Sequence, residues 1–416
     1  MSTRGAHLVH GDKRFTTGGG LVARLIAPAF ASVLAPIDQK LRSGGIDATL
    51  PDGSRRRLGF HAPGPVGIID IKSWRAMFRL AVFGSVGWYK AWELGEWTSP
   101  DPVPLFELFS LNGQPLGELG RAKGPARWVN FIAHRLRDNA PRQAKANIAA
   151  HYDLGNDFYS AWLDETMTYS SARFAAAGEP LEQAQLRKVH TLLDRLDLKP
   201  GSRLLEIGSG WSTLAIEAAK RGASVVGLTL SEEQKAWADQ RIREAGLSER
   251  VEIRLQDYRD TSEQFDAIAS VEMVEAVGQR WWGAYVDCIA RNLRPGGRAA
   301  LQFISMEHAL FDRYARNADF IQTYIFPGGQ LLDEPEFEKL ASERGLSWQD
   351  REGFGKDYAE TLKRWRDRYD AAIGAGRLHG FDERFHDLWR YYLMYCEGGF
   401  RGGAIDVAQV TMVKAG

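Results

Sequence analysis

The sequence predicts an α/β protein built on a doubly wound, mostly parallel sheet, preceded by a small α+β region. After Asp197, short apolar runs alternate with segments of helical periodicity. Such alternation is typical of repeated strand–helix–strand units. One apolar run, Leu204–Ile207, continues into Gly208-Ser209-Gly210, as a buried strand does when it turns tightly into a helix. With 416 residues, the chain is long enough for two domains.

Six strands account for the sheet. The predicted strands are Arg203–Ile207, Ser224–Leu228, Val251–Leu255, Asp266–Val271, Arg298–Phe303 and Val407–Val413. Helical periodicity places helices at Leu214–Arg221 and Glu232–Ala245, and the turn Asn292–Gly297 should lead into the fifth strand. The aromatic-rich span Phe311–Arg401 interrupts the alternation, so we expect a helical insertion that forms a lid or a substrate cavity.

The region before the sheet divides into a domain and a basic linker. We expect residues 1–120 to form a small α+β domain. Its predicted elements are a hairpin turn at Ala48–Ser54, a strand at Ile68–Ile71 and a helix over Lys72–Val86. Residues 121–145 form a basic linker, and 146–416 form the sheet domain. Within the linker, 126–137 has the spacing of a basic amphipathic helix. It could lie on an anionic bilayer, or connect the domains with a solvated basic face.

Composition narrows the functional classes. Lys and Arg number 53, as do Asp and Glu, so the zero net charge argues against bulk nucleic-acid binding. No apolar run is long enough to span a bilayer, and the start lacks the apolar core of a secretory signal. Two widely separated cysteines, Cys288 and Cys396, favour a reducing cytoplasm. The nine histidines show no metal-ligand spacing, so we expect no metal.

The glycine turn indicates which cofactor binds. A dinucleotide site normally has a third glycine and an acid at the end of the second strand. Here Trp211, Ser212 and Thr213 follow Gly210, and Thr229 stands at the end of the second strand. A Gly-x-Gly alone is often only a turn. Together with Glu206 before it and Gln256-Asp257 after the third strand, it favours an S-adenosylmethionine-dependent methyltransferase of class I fold.

Several longer motifs carry a family resemblance. The chain resembles the cyclopropane-fatty-acyl-phospholipid synthase family, which includes the mycolic acid cyclopropane synthases, over roughly residues 145–416. The matching stretches are Ala150–Tyr159, Thr168–Ala172, Val225–Gln234, Gln256–Asp260, Val271–Gly278, Tyr324–Gly329 and Tyr391–Arg401. The earlier stretch Gly95–Asp101 also resembles the extra domain of the phospholipid enzymes.

The resemblance implies a lipid reaction at a membrane. The expected enzyme transfers a methyl(ene) group from S-adenosylmethionine to the cis double bond of unsaturated acyl chains in phospholipids and forms cyclopropane fatty acids. It would be cytoplasmic and bound peripherally to the inner face of the membrane, and the resemblance also implies that it can form a homodimer. The alternatives are a fatty-acid methylase with a methyl-branched or methylene product, a lipid-binding protein with a relic cofactor site, and a small-molecule methyltransferase.

The resemblance also assigns the cofactor site. Glycine amides would approach the amino-acid end of the cofactor, hydroxyls and Gln234 would bind the ribose, and Asp257 would accept from the adenine amine. Tyr152 either lines the same site or is a core tyrosine. The expected cofactor residues are Tyr152, Tyr169, Ser170, Glu206, Gly208, Gly210, Thr229, Ser231, Gln234, Gln256 and Asp257.

In the family, a bound bicarbonate serves as the base. Matched by position, Glu275, the backbone of Ile304 and Tyr358 belong to its binding site. Ser171 stands where a cysteine is usual, and Gln302 where a histidine is usual. Serine and glutamine still donate hydrogen bonds, so bicarbonate remains possible but in doubt.

A third departure is Glu272, at a position that is usually glycine. We hypothesise that its carboxylate reaches the space of bicarbonate and acts as the base. The alternative is a carboxylate that is stabilised at a helix N-terminus. Cys396 matches a cysteine that is often taken as an active-site residue, but the mechanism needs no thiol, and a small buried apolar side chain is the simpler interpretation.

Overall fold

The computed structural model describes residues 4–10, 34–117, 154–317 and 319–416. The basic linker 121–145, with its amphipathic segment 126–137, and Tyr152 lie outside the described residues. The chain divides into two compact units. Unit 1 comprises Met1–Arg137, Glu307–Pro327 and His379–Ile405, and unit 2 comprises Asp138–Met306, Gly328–Leu378 and Asp406–Gly416.

Unit 2 is organised around a seven-stranded sheet. In sequence order its strands are β5 (Arg203–Ile207), β6 (Ser224–Thr229), β7 (Val251–Leu255), β8 (Phe265–Val271), β9 (Leu293–Met306), β10 (Leu346–Gly353) and β11 (Ile405–Lys414). Their spatial order is β10-β11-β9-β8-β5-β6-β7. Strands β5 to β9 pair in parallel, whereas β10 pairs antiparallel with β11. The sheet is therefore mostly parallel, as the strand–helix alternation predicted.

Helices join the parallel strands and cover the sheet. Those of unit 2 are Asn156–Ser160, Leu181–Asp194, Thr213–Lys220, Glu232–Glu244, Trp282–Asn292, Glu334–Ser342 and Gly355–Gly374. Their apolar sides pack on buried strand residues such as Leu204, Val225 and Ala267. Short 3-10 turns at Tyr258–Asp260, Val274–Ala276 and Gln279–Trp281 follow the strands β7 and β8.

Two details of this unit differ from the sequence expectation. The span Phe311–Arg401 is not wholly helical, because β10 lies within it. Strand β9 begins at Leu293, and the expected Pro-Gly-Gly turn lies inside it as a shift in register between the pairs Phe265–Leu293 and Ala267–Arg298. Glycine and proline interrupt the ladder locally while the strand continues on both sides.

Unit 1 contains a four-stranded sheet and several helices. The strands are β1 (Gly45–Thr49), β2 (Arg55–Gly59), β3 (Val66–Ile71) and β4 (Trp97–Thr98), in the order β2-β1-β3-β4. The hairpin at 50–54 and the strand near Ile68 are confirmed. The helices are Ala6–Val9, 34–40, Arg75–Glu93, Val103–Leu111, Gly113–Leu116, His308–Ala315 and Glu383–Gly402, with a π-helical turn at Ile321–Ile325.

Small residues let two helices of unit 1 approach closely. A side chain at Gly398 would collide with Phe106, and one at Gly402 would collide with Glu107 and Ser110.

None of the helices in the described part of the chain combines the length and apolar character needed to cross a bilayer.

Candidate active site

A pocket opens in unit 2 where the carboxyl ends of β5 and β8 lie side by side. Strand β5 pairs with β6 on one side and with β8 on the other, so the chain order reverses at β5. At such a switch point the loops diverge and leave a crevice, which is where ligands bind in open α/β sheets. The pocket is lined by the turn after β5 and by residues that follow β6, β7 and β8.

The glycine turn after β5 forms the floor of this pocket. Gly208 has a φ of 85°, and an added Cβ would lie 2.6 Å from Cγ of Met273. Only glycine therefore fits, both by conformation and by space. The backbone N–H groups of Gly208 and Ser209 bond to the carbonyl of Leu228, which fixes the turn against β6.

Buried polar atoms around the pocket fit a polar ligand. Glu206 Oε2, Ser209 Oγ and Gln234 Nε2 are buried and have no hydrogen-bond partner in the described structure. Buried polar groups are normally satisfied, so such atoms point to a missing partner. An amino-acid group and a ribose would supply both donors and acceptors, as the carboxylate, hydroxyl and amide require.

Nine of the eleven expected cofactor residues line this pocket: Tyr169, Ser170, Glu206, Gly208, Gly210, Thr229, Gln234, Gln256 and Asp257. Ser231 has a different position, as the N-cap of the helix Glu232–Glu244, where its hydroxyl accepts from the N–H of Gln234 at 3.2 Å. The hydroxyl of Thr229 donates to Gln234 Oε1 at 3.0 Å. That bond directs the amide NH₂ of Gln234 away from Thr229.

Asp257, the expected acceptor for adenine, is held by Arg259, which lies in the matching stretch Gln256–Asp260 but had no role assigned to it. Arg259 donates from Nε to Asp257 Oδ1 at 2.8 Å and from a terminal nitrogen to Oδ2 at 2.6 Å. Its guanidinium also lies over the rings of Tyr258 and Trp281. Oδ1 also accepts from the backbone N–H of Arg259 at 3.0 Å, so Oδ2 is the oxygen that keeps a lone pair for a ligand while Arg259 orients the carboxylate.

Glu272 follows β8 with an unusual backbone conformation. Its φ is 47°, in the left-handed region that favours glycine, and its N–H bonds to the carbonyl of Gln302 at 2.8 Å. A non-glycine residue there costs roughly 1–2 kcal/mol. Such strain persists when the surrounding structure fixes the residue, and it is concentrated at functional sites.

Three donors converge on the carboxylate of Glu272. The N–H of Ser171 donates to Oε1 at 2.9 Å, the amide of Gln302 donates to Oε1 at 2.7 Å, and the hydroxyl of Tyr358 donates to Oε2 at 2.6 Å. These donors come from a loop, from β9 and from the helix Gly355–Gly374. The carboxylate is thus held by three of the five residues that were expected around an anion, and not by the short turn Val274–Ala276.

Ser171 contributes its backbone N–H, whereas its hydroxyl donates to the carbonyl of Ala172 at 2.9 Å.

Burial raises the pKa of Glu272 above its ordinary value, while the positive charge of Lys188 and the three hydrogen bonds act in the opposite direction. Burial and the neighbouring Glu272 raise the pKa of Glu275 to about 8. Glu275 accepts from the N–H of Ile304, and its Oε2 is buried without a partner in the described structure. At neutral pH Glu275 is therefore mostly protonated, and Glu272 is the stronger candidate for a proton acceptor.

Comparisons with known proteins identify the family of this chain. The family model for mycolic acid cyclopropane synthetase matches residues 139–410. The chain belongs to this family. A tuberculostearic acid methyltransferase of Mycobacterium tuberculosis is 40% identical over 351 residues, which cover 81% of each chain. A cyclopropane-fatty-acyl-phospholipid synthase of Escherichia coli is 41% identical over 268 residues, 64% of this chain and 66% of the relative.

The solved structures show the same relationship. A mycolic acid cyclopropane synthase in complex with SAH and CTAB is 32% identical, with a TM-score of 0.61, and the match covers 65% of this chain and 98% of the other. The chain is accordingly an S-adenosylmethionine-dependent lipid methyltransferase of the mycolic acid cyclopropane synthetase family, with a mixed α/β fold. The pocket is the candidate site for S-adenosylmethionine, because nine of the eleven expected cofactor residues line it.

The cysteine often taken as an active-site residue in this family lies in surroundings that keep its thiol protonated. Cys396 lies on the helix Glu383–Gly402 of unit 1, where burial and the carboxylate of Asp319 raise the pKa of its thiol well above the usual range. A protonated thiol is a poor nucleophile. Among residues 4–10, 34–117, 154–317 and 319–416, no cluster of three His, Cys, Asp or Glu side chains could hold a metal ion.

Sequence reasoning missed a buried cation in this family member. Lys188 is 1% exposed, lines the pocket and donates to the hydroxyl of Ser170 at 2.6 Å. Burial lowers the pKa of Lys188 to about 8, against the opposing charges of Glu272, Asp164 and Glu206. Its spacing from Leu181, Ala184 and Leu192 puts it on the apolar face of its helix, and that signal was available in the sequence.

Proposed function

We propose that this protein transfers the methyl carbon of S-adenosylmethionine to the cis double bond of an unsaturated acyl chain in a phospholipid, and that the carboxylate of Glu272 accepts the proton released. The convergence of three donors on this carboxylate, at the edge of the cofactor pocket, carries the proposal. A phospholipid substrate is supported by the name of the Escherichia coli relative.

The chemistry requires a base close to the cofactor. S-adenosylmethionine supplies, when bound, an electrophilic methyl group on a positively charged sulfur. Because an alkene is a weak nucleophile, the site must align the reactants and exclude water. Addition of the methyl group to one alkene carbon leaves a positive charge on the other carbon. A fixed carboxylate stabilises that charge, and the raised pKa of Glu272 makes its carboxylate a stronger proton acceptor.

Two isomeric products can follow from the same cation. If Glu272 removes a proton from the new methyl group while its carbon bonds to the cation, a cyclopropane forms. If a hydride first moves from the methylated carbon to the neighbouring cation, the charge moves to the methylated carbon, and loss of a proton from the new methyl group gives a methylene branch (C=CH₂) on the chain. Neither route needs a reductant, and each releases one proton. A saturated methyl branch would need two further electrons.

We favour the methylene product for two reasons. By resemblance, the surroundings of the base depart from the ring-forming pattern at Ser171, Gln302 and Glu272 together. The relative that covers 81% of this chain is named a tuberculostearic acid methyltransferase and not a cyclopropane synthase. Cyclopropane formation is the second candidate, because the Escherichia coli relative has similar identity over a shorter span.

Product analysis separates these outcomes. The purified protein is incubated with ¹³C-methyl S-adenosylmethionine and dioleoyl phospholipid vesicles, and the labelled fatty esters are examined by NMR and mass spectrometry. A methylene product shows vinylidene signals and takes up hydrogen under mild catalysis. A cyclopropane has the same mass but shows shielded ring signals and resists mild hydrogenation. Absence of label in both lipid products, with S-adenosylmethionine bound, would contradict the proposed function.

The cellular setting belongs to the same proposal. An acyl chain must leave the bilayer to reach the pocket, so we infer a cytoplasmic enzyme that binds peripherally to the inner face of the membrane. A homodimer is inferred from the family resemblance. Co-sedimentation with anionic and neutral vesicles, together with light scattering of the full chain, tests both inferences.

A further inference from the structure

A buried glutamine on the last strand of the sheet contacts the amide beside Glu272. Gln409 lies on β11 and is fully buried. Its amide nitrogen donates to the side-chain oxygen of Gln302 at 3.0 Å and to the backbone carbonyl of Lys188 at 3.2 Å. Gln302 is 1% exposed and uses its own NH₂ group to bond Glu272. None of the motifs that identify the cofactor or the base includes Gln409.

These hydrogen bonds have a fixed direction. The carbonyl of Lys188 can only accept, so Gln409 must present its NH₂ group there. The second hydrogen of that group then points to Gln302, whose carbonyl oxygen accepts it. The NH₂ group of Gln302 therefore points to Glu272. Amide orientations are assigned from such networks, and here the carbonyl of Lys188 determines the orientation of Gln409, which then faces the carbonyl oxygen of Gln302. The NH₂ group of Gln302 also makes a longer contact, 3.5 Å, with the carbonyl of Ser171.

Reversal of Gln302 would be costly for the base. Its carbonyl oxygen would replace its NH₂ group 2.7 Å from the carboxylate oxygen of Glu272. Two acceptors at that distance repel each other, so the ionised form of Glu272 would lose a donor and gain an unfavourable neighbour. The orientation of one amide thus affects the ionisation of the proton acceptor.

We propose that Gln409 is a positioning residue for this reaction, because it fixes the orientation of the Gln302 amide and so keeps a hydrogen-bond donor on Glu272. The inference rests on the proposed role of Glu272 as the base. A further feature agrees with it: Oε1 of Gln409 is buried and has no hydrogen-bond partner in the described structure. An apolar residue would avoid that unsatisfied acceptor, so packing alone does not account for a glutamine here.

The first test replaces Gln409 with methionine, which has a similar shape and no donor. In the full-length protein, Gln409→Met should lower kcat roughly tenfold at neutral pH. It should also move the acid limb of the pH–rate profile to higher pH, because Glu272 loses a secure donor. The dissociation constant for S-adenosylmethionine should stay unchanged, which also shows that the variant is folded.

A matched control lies two residues along the same strand face. Thr411 is 1% exposed, and its hydroxyl has no hydrogen-bond partner in the described structure. Thr411→Val changes one buried polar group without touching the network, so its kcat and pH profile should equal those of the wild type.

A second variant covers the case in which Gln409→Met does not fold. Gln409→Glu keeps the shape of the side chain, but a carboxyl group has at most one proton to donate to the two acceptors, the carbonyl of Lys188 and the side-chain oxygen of Gln302. When the introduced carboxyl ionises, it attracts the NH₂ group of Gln302 away from Glu272. Its activity should therefore fall as pH rises through the range where wild-type activity increases. A wild-type pH profile in this variant would overturn the proposal.

A double-mutant cycle distinguishes coupling from separate damage. If Gln409 acts through Gln302, the variant with both Gln302→Met and Gln409→Met should be no slower than Gln302→Met alone. Effects that multiply would overturn the inference. Glu272→Gln in the same assay distinguishes failure of the proposed base from failure of the proposed role of Gln409. A fully active Glu272→Gln variant refutes Glu272 as the base. If Glu272→Gln is inactive and the rate losses of Gln302→Met and Gln409→Met multiply, only the role of Gln409 is refuted.

Discussion

Tyr358 donates a hydrogen bond to Oε2 of Glu272 across 2.6 Å, although 86 positions separate the two residues in the chain. The tyrosine belongs to the helix Gly355–Gly374 and bonds Oε2, whereas Ser171 and Gln302 bond Oε1. The two carboxylate oxygens thus have separate sets of partners, and the group cannot rotate without breaking several bonds. Fixed geometry of this kind is what a base needs when it must select one proton on a reactive cation.

Removal of the Tyr358 hydroxyl should weaken the base. Tyr358→Phe removes one hydrogen bond to the charged form of Glu272, which raises the pKa of that carboxyl further. We expect kcat to fall about 10- to 100-fold near neutral pH, as for loss of a bond to a charged group. Rate measurements across pH should show the acid limb displaced upward, because Glu272 must be ionised to act. An unchanged profile would exclude this contribution.

Glu275 should affect stability in a pH-dependent way. Its folded-state pKa is raised to about 8 from an ordinary value of 4.5, so the folded protein binds its proton more tightly than the unfolded chain. The resulting stability is fully present below pH 4.5 and is lost as pH rises to about 8. Denaturant unfolding should show that Glu275→Gln removes this loss, which is at most about 1.4 kcal/mol per pH unit. Parallel curves for both proteins would contradict the shift.

The two glycines of the turn should differ in their tolerance of a side chain. Gly208→Ala places a methyl group against Met273 in a left-handed conformation, whereas the space beside Gly210 is open. We expect the affinity for S-adenosylmethionine to fall at least about tenfold in Gly208→Ala, because the turn must move. Gly210→Ala should lose less. Calorimetric titration of both variants checks the order, and the reverse order would refute this account of the turn.

Arg259 should support cofactor affinity through Asp257. Arg259→Met frees the carboxylate and removes the cation from the rings of Tyr258 and Trp281. We expect the dissociation constant for S-adenosylmethionine to rise roughly tenfold. Arg254→Met is the matched control, since Arg254 pairs with Glu252 on its own strand β7 and with Glu263 just before β8, and does not line the pocket. Equal losses in both variants would indicate a general charge effect.

The parallel strands and the glycine turn could be predicted from the sequence because both are local patterns. Apolar runs predicted the ends of β5 to β8 to within one residue. The turn at Gly208 could be predicted from the residues next to it in sequence. The strand β10 was missed because it pairs with only one neighbour and is mostly exposed, so its sequence Leu346–Gly353 lacks an apolar run. Its antiparallel pairing with β11 is a tertiary contact that no local period reveals.

The arrangement of residues around the proposed proton acceptor was harder to predict from the sequence. The family resemblance singled out Glu272, Ser171, Gln302 and Tyr358, but periodicity and spacing alone could not bring them together. The left-handed backbone of Glu272 and the use of the Ser171 N–H in place of its hydroxyl depend on the folded loops. Gln409 could not be assigned at all, because its contribution depends on the direction of a hydrogen-bond chain.

The most direct test of the central claim compares Glu272→Gly with Glu272→Gln in buffer depleted of carbon dioxide and in buffer with added bicarbonate. Glycine suits the backbone of this position and vacates the space between Ser171, Gln302 and Tyr358, whereas glutamine fills that space without a charge. We predict a wild-type rate that is independent of bicarbonate, a Glu272→Gly rate that is low and restored by bicarbonate, and a Glu272→Gln rate that stays low in both. A wild-type enzyme that needs bicarbonate, or a Glu272→Gln variant that is fully active, would contradict the assignment of Glu272 as the base.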